Sequence, residues 1–90
     1  MASNFEQYSI VWVKSAHRNF EKLPTTIQKT IIKQIDLLNT SYENSDIKKL
    51  KGHSNLYRLR VGDYRIIFSI NKQAQQICIS AVGHRREIYN

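Results

Sequence analysis

The sequence predicts an α+β protein: an N-terminal strand, a two-helix hairpin, and then a three-stranded antiparallel meander forming a twisted sheet with the helices on one face. Three observations carry this reading. A short apolar run, YSIVWV, precedes two stretches whose apolar residues recur at helical spacing. Further along, strand-like segments alternate in polarity and are joined by two tight turns. The chain has 90 residues, enough for one modest core, so a single domain is expected over 1–90.

The first strand is expected over Tyr8 to Val13, where the nearly continuous apolar run suggests cover on both faces. Ser15 follows as a candidate cap for a short helix, with Ala16, Phe20 and Leu23 at i, i+4 and i+7. Pro24 interrupts that pattern. Thr25 and Gln28 then have capping-box spacing, and Ile27, Ile31, Ile35 and Leu38 form one long apolar stripe. Asn39 to Asp46 is polar and rich in turn formers, so a loop is expected there. After KKLKGHSN come YRLRVGDYRIIF, a second turn at NKQAQ, the strand QICISAV and the ending GHRREIYN.

Bulk composition narrows the function classes. An apolar content of 41% suits a soluble globular chain. No apolar run reaches membrane-span length, and the N-terminus lacks the basic-then-apolar order of a secretory leader. A cytoplasmic protein with no membrane contact is the expectation. The single cysteine, Cys78, cannot form an internal disulfide, and its alternation with Ile77 and Ile79 points to packing.

The net charge of +7 is unevenly placed. Residues 1–47 carry five basic and five acidic side chains and sum to zero. Residues 48–90 carry nine basic residues against only Asp63 and Glu87. A field of this shape attracts polyanions, nucleic acid first and acidic protein partners second.

The hairpin YRLRVGDYRIIF gives that charge a location. Gly62-Asp63 suits a two-residue primed turn, because glycine supplies the positive φ such turns need. Val61 then pairs with Tyr64, Arg60 with Arg65, Leu59 with Ile66 and Arg58 with Ile67. Alternation puts Tyr57, Leu59, Val61, Tyr64, Ile66 and Phe68 on one face, which is a core face. The other face holds Arg58, Arg60 and Arg65. Like charges facing one another across strands cost stability unless something anionic lies among them. Planar guanidinium groups fit phosphate oxygens, so this face reads as a phosphate site. The plain alternative is a solvated face with snorkelling arginines.

The order KKLKG, YRLRVGDYRIIF, AVGHRREIY resembles the RelE/ParE superfamily of toxins from type II toxin–antitoxin modules, and most of all its RelE-type messenger-RNA endonucleases. The resemblance spans essentially the whole chain. Its most specific parts are the G-x-Y-R-I-I-F hairpin return and the V-G-H-R-x-x-I-Y ending. It implies a catalytic set at Arg58, Arg60, Arg65, His84, Arg85 and Tyr89, with Lys48, Lys49, Lys51 and Arg86 contacting RNA. It also implies the ribosome and its messenger RNA as partners, and a cognate acidic antitoxin in a hetero-oligomer. RelE itself has lysines at the places of Arg58 and Arg60. Tyr89 stands one residue from the end of the sequence, where fraying is expected.

The residues also speak to mechanism. RNA brings its own nucleophile, the 2′-hydroxyl, so cleavage needs in-line geometry, two proton transfers and stabilisation of a more negative phosphorane. The chain has no clustered carboxylates or His/Cys set for a metal, and no cofactor is expected. Of the three histidines, His17, His53 and His84, only His84 adjoins the basic constellation. For that residue a structural bond at the strand end competes with a catalytic role. Arginine is a poor proton acceptor, so Arg58, Arg60, Arg65 and Arg85 are cast as electrostatic clamps. Proton transfer is left open among Tyr89, Lys49, Lys51 and His84.

Such a weak set of bases implies poor cutting of free RNA and dependence on the ribosome for positioning. Competing readings are a ParE-like inhibitor of DNA gyrase on the same fold, a non-enzymatic nucleic-acid-binding domain, and a degenerate toxin kept as a repressor partner.

Overall fold

A computed structural model of the protein describes residues 8–41, 47–52 and 55–86, the side chains of 39–41 excepted. Its elements are β1 (Ser9–Trp12), α1 (Lys14–Glu21), α2 (Thr25–Ser41), β2 (Ile47–Lys49), β3 (Leu56–Val61), β4 (Tyr64–Asn71) and β5 (Gln76–His84). The strands form one five-stranded sheet in the order β1-β5-β4-β3-β2. The α+β class and the β3-β4-β5 meander agree with the sequence expectation.

The meander register follows the turn chemistry. Val61 pairs with Tyr64, Arg60 with Arg65, Leu59 with Ile66 and Arg58 with Ile67. Gly62 has φ +59 while Asp63 stays at negative φ, the φ signature of a type II′ turn. The turn between β4 and β5 uses Gln75 at φ 53, and Asn71 Oδ1 accepts the Ala74 N–H at 3.0 Å.

Four local expectations are corrected. β1 is an edge strand covered on one face: it pairs in parallel with β5 alone, turns Ile10 and Trp12 toward the core, and leaves Val11 37% exposed. Its continuous apolar run therefore does not report two-sided burial. α1 starts one residue before Ser15, with Val13 as an extended N-cap that makes no side-chain bond. Gln28 makes no capping box with Thr25. Its Nε2 instead donates to the Leu23 carbonyl at 2.9 Å and the Glu21 carbonyl at 3.2 Å, tying the start of α2 to the end of α1. α2 continues through Ser41, so the loop expected from Asn39 is shorter, and residues 42–46 lie outside the described residues.

Ile47–Lys49 adds a short strand that the sequence pattern did not announce. It pairs antiparallel with β3, and the Leu50 N–H donates to the Leu56 carbonyl at 2.9 Å before the chain turns at Gly52.

One core joins the elements. Ala16 and Phe20 from α1 and Ile31, Ile35 and Leu38 from α2 are buried against Leu59, Ile66, Phe68, Ile77, Ile79 and Val82 of the sheet. Burying side chains of this size yields roughly 1.5–3 kcal/mol each, which holds the helices to that face. Trp12 packs against Phe20 with ring centroids 4.9 Å apart. The opposite face of the sheet carries the arginines.

The β4–β5 ladder is broken by a bulge. Phe68 pairs with Ile79 and Ile67 with Ala81, so Ser80 is the extra residue, and its Oγ donates to the Ile67 carbonyl at 3.2 Å. Beyond it the alternation of β5 is shifted by one. Val82 and His84 turn to the helix side, opposite Ile66 and Tyr64, and Gly83 comes to the arginine side, opposite Arg65.

Candidate functional site

The β3–β4 hairpin sets Arg60 directly opposite Arg65 on the face away from the helices. Arg58 lies two residues further along that face, opposite Ile67 on β4 and opposite Lys48 on β2. Arg65 is held against the turn: its Nη1 donates to the Gly62 carbonyl at 3.0 Å and to the Tyr64 carbonyl at 3.1 Å. Arg85 comes to the same end of the sheet, because its N–H donates to the Asp63 carbonyl at 2.7 Å. Its Nε stands 3.9 Å from Asp63 Oδ1.

Electrostatics couple Arg65 to the other three. The Arg65 guanidinium is held below its ordinary value, first by partial removal from water and then by the charges of Arg58, Arg60 and Arg85. Asp63 acts in the other direction. Arg58 is half-buried, and its Nε is a buried donor with no hydrogen-bond partner among the described residues. A buried N–H on a charged group is costly when unpaired, and an anionic oxygen would satisfy it. Next to Arg65 the strand neighbour is Gly83, which has no side chain to cover the guanidinium.

The other expected residues divide. Lys48 joins the arginine face, while Lys49 lies opposite Tyr57 and therefore on the helix side. Lys51 is exposed in the turn after β2, and Arg86 is exposed beside Arg85. His84 stands on the helix side, edge-on to Tyr64 with ring centroids 5.5 Å apart. Its Nδ1 accepts the Arg86 N–H at 3.2 Å, a bond that shapes the turn carrying Arg85 and Arg86. Tyr89 and His53 lie outside the described residues.

Asp63 is the participant that sequence reasoning saw only as a turn former. The signal was its unusual charge, the only carboxylate between Lys48 and Arg86. Among the described residues no group of three His, Cys, Asp or Glu could hold a metal ion. No described helix is long and apolar enough to cross a membrane.

A small basic α+β fold, with one sheet face packed by helices and four arginines gathered on the other, has the chemistry to receive an anion. Comparison with known proteins makes this specific. The family model for the ParE toxin of the type II toxin–antitoxin system parDE matches residues 10–89. Toxin RelE3 of Methanocaldococcus jannaschii is 34% identical over 89 residues, spanning 90% of this chain and 94% of the relative. Among solved structures, the RelB–RelE antitoxin–toxin complex from Methanococcus jannaschii matches with TM-score 0.74 at 34% identity, covering 88% of this chain and 94% of the other. The archaeal RelE–RelB complex from Pyrococcus horikoshii OT3 matches with TM-score 0.74 at 29% identity, covering 90% and 98%. The isolated E. coli RelE toxin shares the fold, with TM-score 0.72 at 20% identity over 86% and 83% of the two chains. The chain belongs to the RelE/ParE superfamily and is a toxin of a type II toxin–antitoxin system.

Proposed function

We propose that the protein is a ribosome-dependent endoribonuclease that cleaves translated messenger RNA through attack by the 2′-hydroxyl. The observation that supports this reading is the gathering of Arg58, Arg60, Arg65 and Arg85 on one sheet face, where the buried Nε of Arg58 has no hydrogen-bond partner among the described residues and an anionic oxygen would supply one. A phosphodiester in that space gains negative charge as the phosphorane forms. Fixed cations then stabilise the transition state more than the ground state.

In this mechanism the 2′-oxygen forms a bond to phosphorus, the bond from phosphorus to the 5′-oxygen breaks, and a 2′,3′-cyclic phosphate and a 5′-hydroxyl result. The arginines hold the phosphoryl oxygens, and Lys48 and Arg86 bind adjacent backbone. Accepting the 2′-proton and protonating the leaving oxygen fall first to Tyr89, since Lys51 follows β2 toward the end of the sheet away from the Gly62-Asp63 turn. Lys49 and His84 are less suited, since both stand on the helix side of the sheet. A site so poor in bases relies on the ribosome to align the message.

The partners fit this reading. Relatives of this fold crystallise as RelB–RelE complexes, and a cognate acidic antitoxin would neutralise the basic half of this chain. The action would be cytoplasmic, where translation occurs.

The test is to induce the protein in bacteria and map the 5′ ends of a translated message. Cuts in phase with codons are expected for the wild type, with a loss of about 10²–10³ in rate for Arg65→Ala and Arg85→Ala. The ParE description of the matched family favours a second reading, inhibition of DNA gyrase. Supercoiling defects with intact messages would select it.

A further inference from the structure

The lysines of KKLKG do not form one site. Lys48 faces Arg58, and the next residue, Lys49, faces Tyr57 on the other side of the sheet. At the end of the sheet away from the Gly62-Asp63 turn, Lys49 joins Asn55, Tyr57, Ser69, Asn71 and Lys72 around a pocket of about 610 Å³. Among the described residues its lining contains two ammonium groups and no carboxylate.

The frame of this pocket is fixed by main-chain bonds. Asn55 Nδ2 donates to the Ile70 carbonyl at 2.6 Å, and its Oδ1 accepts the Ile70 N–H at 3.4 Å, extending the β3–β4 ladder with a side chain. Asn71 Oδ1 is engaged by the Ala74 N–H. Tyr57 is stacked on Phe68, with centroids 5.6 Å apart and planes at 19°. With the Asn55 and Asn71 oxygens turned to the main chain, the polar groups left to a ligand are led by the Lys49 and Lys72 ammonium groups, with the Gln73 amide also in the lining. Donors plus positive charge, in a pocket open at a sheet edge, suit a phosphate carried on a polymer more than a free small molecule.

We propose that this pocket is a second phosphate site, which takes a backbone phosphate of RNA other than the one being cleaved. The strand reaches it across the β2 edge, where successive residues point to opposite faces and Lys48 hands the backbone from the arginine side to Lys49 and Lys72. The proposal rests on the nuclease reading for its biological sense, but its test does not depend on cleavage.

Lys72 serves as the probe because it is exposed in the β4–β5 turn and lies outside the arginine cluster. Binding is measured by fluorescence anisotropy across a salt series, with two RNAs. One is a short single strand with 2′-O-methyl groups, which cannot be cut by 2′-hydroxyl attack. The other is small ribosomal subunits without message. Lys72→Glu is expected to weaken binding about threefold to tenfold at low salt, and Lys72→Gln to flatten the log–log salt slope by about 0.7, the loss of one single-strand phosphate contact.

An effect on the oligonucleotide assigns the pocket to the message. An effect confined to the ribosomal subunits assigns it to ribosomal RNA. Affinities and slopes equal to the wild type with both RNAs overturn the proposal. Failure of codon-phased cutting by the wild type, with the Lys72 effects intact, would sink the nuclease reading and leave the pocket standing.

Discussion

Arg85 and Asp63 meet twice. The Arg85 N–H donates to the Asp63 carbonyl at 2.7 Å, and the Arg85 Nε stands 3.9 Å from Asp63 Oδ1. Asp63 thereby fastens the end of β5 to the β3–β4 turn and places a carboxylate beside the arginine cluster. Both side chains are more than half exposed, so the ion pair itself contributes little to stability.

Asp63→Asn separates these roles. It keeps the main-chain bond and changes stability by less than about 0.5 kcal/mol. RNA binding at low salt should tighten, because a competing anion is gone, while turnover falls because the Arg85 head is no longer oriented. Steady-state kinetics in a ribosome-programmed assay should therefore show KM and kcat falling together.

The partial removal from water and the repulsion that together lower Arg65 have a stability consequence with a definite sign. A base whose value is lowered in the fold is less favoured as a cation there than in the unfolded chain. The cost applies at every pH where the guanidinium is protonated, including the whole neutral range, and is relieved only in strong alkali. Anions are thus the practical lever. Sulfate should raise the thermal midpoint by on the order of a few degrees, and the gain should shrink in Arg65→Gln, as followed by differential scanning fluorimetry.

Gly62 tests the turn. Its φ of +59 is strained for any L side chain, although a Cβ there would meet nothing within 4 Å. Gly62→Ala should cost about 1 kcal/mol by conformation alone. Because the Gly62 carbonyl accepts from Arg65 Nη1, cleavage should fall further than the stability loss explains. Urea unfolding paired with single-turnover cleavage measures both.

His84 acts on the turn that follows it. Its Nδ1 accepts the Arg86 N–H, and its ring packs edge-on to Tyr64. His84→Asn, which retains an acceptor, should keep cleavage within about threefold of the wild type, whereas His84→Ala should lose about 0.5–1.5 kcal/mol of stability and considerably more activity. A loss of 10²-fold or more in His84→Asn, the scale of a general acid or base, would instead assign the imidazole to proton transfer.

The arginine face could be read along the chain because everything that fixes it is local. Gly62-Asp63 is a two-residue turn, turn length sets the hairpin register, and register decides that Arg60 faces Arg65 while Leu59 and Ile66 go to the core. The helical stripe Ile31, Ile35, Leu38 was equally plain, since a period near four needs no distant partner. Local signals misled where a boundary depended on tertiary contact. β1 is apolar from Ile10 to Trp12 yet covered on one face, and β2 is a strand only because the β3 edge was there to pair with it.

The chain alone therefore determined the class of fold, the excess of positive charge in its second half and the pairing of its central hairpin. Only the folded sheet decided that Lys48 shares the arginine face while Lys49 and His84 do not. Strict alternation from Ile77 and Ile79 would have sent His84 to the arginine side, but the extra residue at Ser80 reverses every side chain beyond it. A bulge arises from the fit between two strands and the core they cover, a property of the assembled ladder that no single stretch of sequence carries.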